Sequence, residues 1–178
     1  SSGITETFDF GVGWNWIYLS VNTSQTISEI FPGDYEMLDE LKFVDGSFIY
    51  YTGFGWFSPT ITSDTISPGI TFKVYVQTAR QIEISGSLPS SVTYDFVEGW
   101  NWRSIPMESS IIFQTFLPDA GWEVDDEMKT IDGGALFYQG FGWFSSTLDT
   151  DELYNINITR GVGMKIYKQT AGSYTYNL

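Results

Sequence analysis

The first clear pattern in the chain is an alternation of side-chain types through Trp14–Val21. A period of two is typical of a β-strand, in which successive side chains point to opposite faces. One face carries Trp14, Trp16, Tyr18 and Ser20. The other carries Asn15, Ile17, Leu19 and Val21. Later in the chain Ile105 and Met107 replace Leu19 and Val21, so we expect the aliphatic face to form the core.

Further strands are predicted by the same alternation and by turn residues. Asp45-Gly46 and Asp132-Gly133 favour tight turns that lead into strands Phe48–Tyr51 and Ala135–Tyr138. The later segments Phe72–Gln77 and Gln81–Ser85 also alternate. Two Gly-Phe-Gly-Trp segments predict a second kind of turn, because glycine tolerates positive φ and close backbone approach.

Two segments carry apolar residues at i, i+3 and i+4, a spacing typical of a helix. They are Ser24–Phe31 and Ser110–Leu117, and a proline follows each one. Because proline cannot continue a helix, we expect two short helices that end there.

The order of motifs shows that the sequence is a duplication. Asp9–Trp16 returns as Asp95–Trp102 at an offset of 86 residues, and Gly53–Ser58 returns as Gly140–Ser145 at an offset of 87. The Gln-Thr-Ala motif at Gln77 returns at Gln169, at an offset of 92. Such a drift is what loop insertions produce in a repeated unit. The predicted fold is mainly β with short helices: two tandem, pseudo-symmetric, sandwich-like β units at residues 1–87 and 88–178, packed together.

The aromatic residues are the first candidates for function. Rows of Trp and Tyr on a strand either fill the core or form an exposed ledge that stacks on sugars or anchors a protein interface. The Gly-Phe-Gly-Trp-Phe turns have the same two interpretations. The candidate self-association or ligand-contact residues are Trp14, Trp16, Tyr18, Trp56, Phe57, Trp100, Trp102, Trp143 and Phe144.

The composition of the chain excludes several classes of catalytic site, metal site and binding partner. The 178 residues include no Cys and no His, which excludes thiol and imidazole catalysis and the metal sites that use those ligands. The net charge of −14 disfavours nucleic acid and anionic membranes as partners. No apolar stretch is long enough to insert in a membrane.

Acidic residues offer two further hypotheses. Clusters at Asp34–Glu40, Asp125–Glu127 and Asp149–Glu152 could contribute oxygens to Ca²⁺ but match no calcium-loop pattern, so a solvated acidic face is the better explanation. A carboxylate pair could hydrolyse glycosides, but the duplicated carboxylates, Asp9 with Asp95 and Asp39 with Asp126, adjoin structural motifs. We therefore expect no enzyme activity, no catalytic residue, no cofactor and no dedicated metal site. Asn22 and Asn157 begin glycosylation sequons by pattern.

The motif order resembles a known family. Gly-Trp-Asn-Trp, a short helix, Asp-Glu-x-Lys, an aromatic strand, Gly-x-Gly-Trp-Phe and a closing Lys-containing strand follow one another in both copies, over Phe8–Ala79 and Tyr94–Ala171. The order is similar to the Gly-Trp-Asn-Trp tandem repeats of bacterial surface proteins and to the diatom pyrenoid shell proteins. The second copy departs from it where Arg103 replaces Ile17 and Arg160-Gly161 replaces Pro68-Gly69.

The resemblance implies a structural protein of the chloroplast. Such a protein associates with itself into a homo-oligomeric sheet or tube around the Rubisco matrix of the pyrenoid, with matrix components as further partners, and supports CO2 concentration and carbon fixation. The alternative is an extracellular bacterial module that binds carbohydrate or anchors a surface protein.

Overall fold

The computed structural model describes residues 3–104, 111–112, 121–129, 133–147, 157–158 and 163–177, and it confirms a mainly β fold of two similar units. The first unit contains β1 (Ile4–Phe10), β2 (Gly13–Tyr18), α1 (Ile27–Ile30), β3 (Glu40–Phe43), β4 (Gly46–Tyr51), β5 (Gly55–Phe57), β6 (Thr71–Val76) and β7 (Arg80–Gly86). The second contains β8 (Ser91–Phe96), β9 (Gly99–Ser104), β10 (Ile111–Ile112), β11 (Glu127–Lys129), β12 (Gly134–Tyr138), β13 (Gly142–Phe144), β14 (Asn157–Ile158), β15 (Gly163–Lys168) and β16 (Gly172–Asn177).

Each unit combines a five-stranded antiparallel sheet with a two-stranded ribbon. The sheets have the orders β2-β6-β3-β4-β5 and β9-β15-β11-β12-β13, and the ribbons pair β1 with β7 and β8 with β16. These orders match strand by strand, so the sequence duplication is also a duplication of topology. In addition, β10 pairs with β14.

The predicted aliphatic face of β2 lies in the core. Ile17, Leu19 and Val21 are fully buried, together with Phe72 and Val74 from the neighbouring strand β6. Residues of β1 and β7 join the same cluster, so the ribbon covers the inner face of the sheet. A separate cluster around Met128 and Ile166 forms the second core. Each such aliphatic side chain contributes about 1.5–3 kcal/mol when it leaves water.

The predicted helix of the first unit is present but shorter than Ser24–Phe31. It covers Ile27–Ile30, and Thr26 begins it with a capping box in which Thr26 and Glu29 exchange side-chain-to-backbone hydrogen bonds. Of the second predicted helix, Ser110–Leu117, the described residues Ile111–Ile112 form strand β10, which contradicts a helix there. The rest of that segment lies outside the described residues.

Both predicted turn types are confirmed where they are described. Val44 and Asp45 connect β3 directly to β4. Both glycines of each Gly-Phe-Gly-Trp segment have positive φ, from 81° to 90°, which side chains other than glycine's rarely tolerate. Each of these turns joins the last two strands of its sheet, β4 to β5 and β12 to β13. Asp132 lies outside the described residues.

The asparagine of Gly-Trp-Asn-Trp is a structural residue. The Asn101 amide accepts a hydrogen bond from Val97 N at 2.9 Å and donates to the carbonyls of Val97 and Gly99 and to that of Ile166 on β15, at 2.9–3.3 Å. Asn15 makes the equivalent bonds in the first unit. One amide therefore satisfies several backbone groups where the chain turns from the ribbon into the sheet.

The two units meet where β6 approaches the end of β9. Ser104 N donates to the Gly69 carbonyl at 2.7 Å, and the buried Ser104 hydroxyl lies 2.9 Å from the Leu19 carbonyl oxygen and 3.1 Å from that of Ile70. Tyr94 donates its hydroxyl to the Ser104 carbonyl at 2.8 Å. Gly69 has a φ of +82°, and a Cβ there would lie 3.2 Å from the Tyr94 ring, so only glycine fits this contact without rearrangement.

Replacing the junction tyrosine should change how stability depends on pH. Burial raises the pKa of Tyr94 above its ordinary value of 10.0, because the phenolate loses hydration there. The folded state thus holds this proton more tightly than the unfolded state. The stabilisation from this difference is complete below pH 10 and is lost as the pH rises above it. Tyr94→Phe should therefore lose about 1 kcal/mol near neutral pH and show a shallower decline above pH 10.

The measurement is the free energy of unfolding in urea at about pH 8 and about pH 10.5. Tyr138→Phe, at an exposed position, is the control. If the alkaline decline of Tyr94→Phe equals that of the wild type, Tyr94 does not carry this linkage.

Removing the asparagine amide should destabilise the second unit more than the first. Asn101 is fully buried, whereas Asn15 is partly exposed, so water can replace some of the bonds that Asn15→Ala loses. Each buried group left without a partner costs about 1–3 kcal/mol. Urea unfolding should show a larger loss for Asn101→Ala than for Asn15→Ala. Asn101→Asp should also lose stability, because a carboxylate cannot donate to the three carbonyls. Equal stability of Asn101→Asp and the wild type would contradict the role assigned to the amide.

Candidate functional site

The outer face of each five-stranded sheet carries a cross-strand row of large apolar side chains with a glutamate at its centre. In the first unit the cross-strand pairs Trp14–Tyr75, Tyr75–Glu40, Glu40–Ile49 and Ile49–Phe57 place these residues side by side. Trp14 is 49% exposed and Phe57 is 56% exposed. The predicted aromatic ledge of β2 therefore faces outward, and Tyr18 lies on it, stacked on Trp16 at 6.4 Å between ring centroids.

The second unit repeats this row. Trp100 pairs with Tyr167, Tyr167 with Glu127, Glu127 with Leu136, and Leu136 with Phe144. Phe144 is 59% exposed, almost the same as its counterpart Phe57. The two units consequently present equivalent apolar rows to solvent.

The most exposed aromatic residues lie at the free edges of the two sheets. Phe54, between the glycines of its turn, is 91% exposed, and its counterpart Phe141 is 89% exposed. Each turn leads into the edge strand, β5 or β13, on which Phe57 or Phe144 follows. Neither edge strand has a partner on its outer side among the described residues. We name each pair an edge pair: Phe54 with Phe57, and Phe141 with Phe144.

Two of the predicted contact residues belong to the core, and this corrects the prediction. Trp143 is 3% exposed and packs edge-on against Trp122 and Phe137. Trp56 packs on the first core, where its indole nitrogen donates to the Phe31 carbonyl at 3.3 Å. In Gly-x-Gly-Trp-Phe the tryptophan faces inward and the phenylalanine outward, as the strand period requires. The prediction missed Phe54 and Phe141, although their position between two turn glycines was a signal of exposure.

A second feature of the outer face lies where the units meet. Trp16 and Trp102, the edge-strand tryptophans of the two sheets, contact each other edge-to-face at 5.5 Å. Lys73 and Lys165 are their cross-strand neighbours, and Lys42 and Lys129 come next. We name this set, Lys42, Lys73, Trp16, Trp102, Lys165 and Lys129, the lysine–tryptophan row. It contains four of the eight basic residues in the chain. The sequence interpretation did not identify it, because strand order brings these residues together.

The duplicated carboxylates are structural. Buried Asp39 accepts hydrogen bonds from the backbone nitrogens of Glu36 and Gln77 at 2.9 and 3.1 Å. Asp126 accepts from those of Glu123 and Gln169 at 3.0 and 2.8 Å. Each carboxylate thus holds the loop before β3 or β11 against the end of β6 or β15. Its oxygens already have donors, which leaves little capacity for acid–base work.

The duplicated carboxylates of the ribbons are also hydrogen-bonded. Asp9 accepts from Gln81 Nε2 at 2.6 Å and Asp95 from Ser173 Oγ at 2.7 Å, both on the exposed side of a ribbon. Among the described residues no group of three or more acidic side chains is arranged to hold a metal ion. The acidic cluster Asp149–Glu152 lies outside them. Over the same described part of the chain, no helix has the length and apolar character needed to cross a bilayer.

The units differ in how a cation covers one core aromatic ring. In the first, Arg80 stacks on Tyr35 at 3.5 Å and donates to the Asp34 carbonyl at 2.9 Å. In the second, Trp122 and Gly121 are the equivalents, but Gly172 replaces Arg80.

Lys168, at the position of Val76, compensates for this loss. It lies 4.5 Å from the Trp122 ring centroid, donates to the Gly121 carbonyl at 3.1 Å and forms a buried ion pair with Asp126. A cleft of about 220 Å³ remains beside Trp122 and Gly172.

Comparison of the chain with protein families, curated proteins and solved structures finds no match.

Exchanging the cation between the two positions should reveal this compensation. Lys168→Val installs the residue of the first unit and leaves buried Asp126 without its counter-ion, which should cost about 3–5 kcal/mol. Gly172→Arg added to it restores a guanidinium where the first unit has one, and no atom lies within 4 Å of a Cβ at Gly172. Thermal and urea unfolding of the single and double variants should show partial recovery. Gly172→Gln is the uncharged control, and equal recovery by it would show that the cation is not what matters.

Proposed function

We propose that this protein is a structural, self-associating protein whose copies join edge to edge into an extended layer. The observation that carries the proposal is the pair of equivalent, exposed aromatic edges. Phe54 with Phe57 on β5 and Phe141 with Phe144 on β13 lie at the sheet edges that are farthest, in strand order, from the junction of the units. Exposed edge strands and apolar patches are the features by which β proteins associate.

The duplication makes such contacts repeatable. A chain with one associating edge forms at most a closed dimer. A chain with two equivalent edges can bind a neighbouring copy at each. When the operation that relates neighbours does not close, assembly continues into a filament, tube or sheet. The edge strands have only three residues each, so the aromatic side chains rather than the backbone supply most of the contact energy.

The resemblance to the diatom pyrenoid shell proteins supports a cellular location and a role for this layer. We propose that it encases the Rubisco matrix of the pyrenoid in the chloroplast and supports CO2 concentration and fixation. Matrix components are then the further partners. The structural roles of the duplicated carboxylates agree with a protein that performs no catalysis.

An exposed tryptophan favours one alternative. Trp14, 49% exposed on a sheet face, is suited to stacking on a sugar ring, as an extracellular carbohydrate-binding or surface-anchoring module requires. Retention of non-associating protein on a glycan column would support this function over the structural one.

Edge variants test the structural function. The wild type should form sheets or tubes on concentration, visible by negative-stain microscopy, with a matching rise in sedimentation coefficient. Phe54→Ser with Phe57→Ser should remove one edge, and Phe141→Ser with Phe144→Ser the other, so neither variant should extend. If unlike edges meet, a mixture of the two should stop at a one-to-one pair, because each partner keeps one working edge.

The matched control is Val12→Ser with Val97→Ser. These residues are 71% and 56% exposed but belong to the turns between the ribbons and the sheets. This variant should assemble as the wild type does. A wild type that stays monomeric at every concentration, or edge variants that still assemble, would overturn the proposal.

A further inference from the structure

The lysine–tryptophan row concentrates positive charge in a strongly acidic protein. The chain carries 22 acidic and 8 basic residues. Yet among the described residues no carboxylate lies within ion-pair distance of Lys42, Lys73 or Lys165; the two ion pairs found there use Lys129 and Lys168. Within the described part of the chain, three of the four ammonium groups of the row therefore have no counter-ion, which makes the row suited to an acidic partner.

The central lysines converge on one place. The Lys73 ammonium lies 4.6 Å from the Trp16 ring centroid and 5.4 Å from that of Trp102, and the Lys165 ammonium lies 5.7 and 5.8 Å from the same two rings. Both cations therefore lie over one pair of rings contributed by both units. Burial, followed by repulsion from Lys165 and Lys42, lowers the pKa of Lys73. Bound carboxylates would relieve this repulsion.

The dimensions of the row suit an extended chain. The Lys73 and Lys165 ammonium groups both lie within 6 Å of the Trp16 ring centroid, so they are at most about 10 Å apart, and Lys42, the cross-strand neighbour of Lys73, lies about 5 Å further on. An extended polypeptide of about five residues, with a carboxylate at every second position, covers that length. We propose that the lysine–tryptophan row docks an extended acidic segment of a partner protein, whose carboxylates pair with Lys42, Lys73 and Lys165.

Two observations favour an acidic peptide over other polyanions. Glu40 lies on the adjacent cross-strand row, about 7 Å away along β3, and would repel a wide, uniformly charged nucleic acid. The rings of Trp16 and Trp102 already carry lysine ammonium groups, which occupy the face that a sugar would need. A narrow chain with a few spaced carboxylates meets neither obstacle.

A labelled peptide tests this assignment without any variant. The probe is a capped, fluorescein-labelled Glu-Ser-Glu-Ser-Glu-Ser-Glu peptide, and its control has Gln at every Glu. Fluorescence anisotropy should show saturable binding of the Glu peptide, at least about tenfold tighter than the Gln peptide and weakened by salt. Tryptophan emission should change on binding, because the cations over Trp16 and Trp102 shift. Equal affinity for the two peptides would overturn the proposal.

Variants then locate the site. Lys73→Gln with Lys165→Gln should weaken the Glu peptide about tenfold, while Lys73→Arg with Lys165→Arg should keep most of the affinity because the charges remain. Thermal unfolding checks that both variants fold. Unchanged binding by the Gln variant would place the peptide elsewhere. A polyuronate or single-stranded DNA of equal charge that binds more tightly than the peptide would assign the row to that class instead. The readout is independent of layer formation, since the edge variants should bind the peptide as the wild type does.

Discussion

Each unit depends on the satisfaction of buried backbone groups by polar side chains. A small β unit with a ribbon and an open sheet has turns at which the backbone leaves the hydrogen-bonded ladder, and unpaired groups there would cost more than a lost side-chain contact. Asn101 bonds four backbone groups at the turn into the sheet, and Asp126 holds two amides near the same, C-terminal end of β15. Asn15 and Asp39 do the same in the first unit.

These roles change how the repeated motifs should be understood. The residues that make the duplication recognisable, the asparagine of Gly-Trp-Asn-Trp and the aspartate of Asp-Glu-x-Lys, are retained in both copies because the backbone needs them. Where the backbone does not need a residue, the copies differ. Ile17 is fully buried, whereas Arg103 at the same position extends to the Asp95 carbonyl at 2.6 Å. Tyr18 lies on the outer face, whereas Ser104 joins the units. Part of the asymmetry of the two units therefore lies at their junction.

Periodicity and turn residues were sufficient to predict β2, β4, β6, β7 and β12 and the inward aliphatic face, because these follow from local geometry. They could not decide which aromatic residues are exposed, since Trp143 and Phe144 are neighbours of similar character and only the register of β13 separates them. The lysine–tryptophan row could not be predicted from the sequence, for a different reason. Lys42 and Lys73 are 31 positions apart, and only the order β2-β6-β3 makes them neighbours. The replacement of Arg80 in the first unit by Lys168 in the second could not be predicted either, because the two cations come from non-equivalent strands that reach equivalent aromatic rings.

The acidity of the chain and its exposed aromatic edges constrain each other. Four exposed phenylalanines at sheet edges would promote indiscriminate aggregation in a neutral protein, but a net charge of −14 opposes close approach except where the contact is good enough to offset repulsion. Repulsion of this kind is screened by salt, whereas the apolar contact is not. In the layer that we propose, the charge would therefore favour ordered edge contacts over random ones. The same acidity would leave the lysine–tryptophan row as a surface that attracts a second acidic chain, so the two proposed surfaces would distinguish their partners by charge.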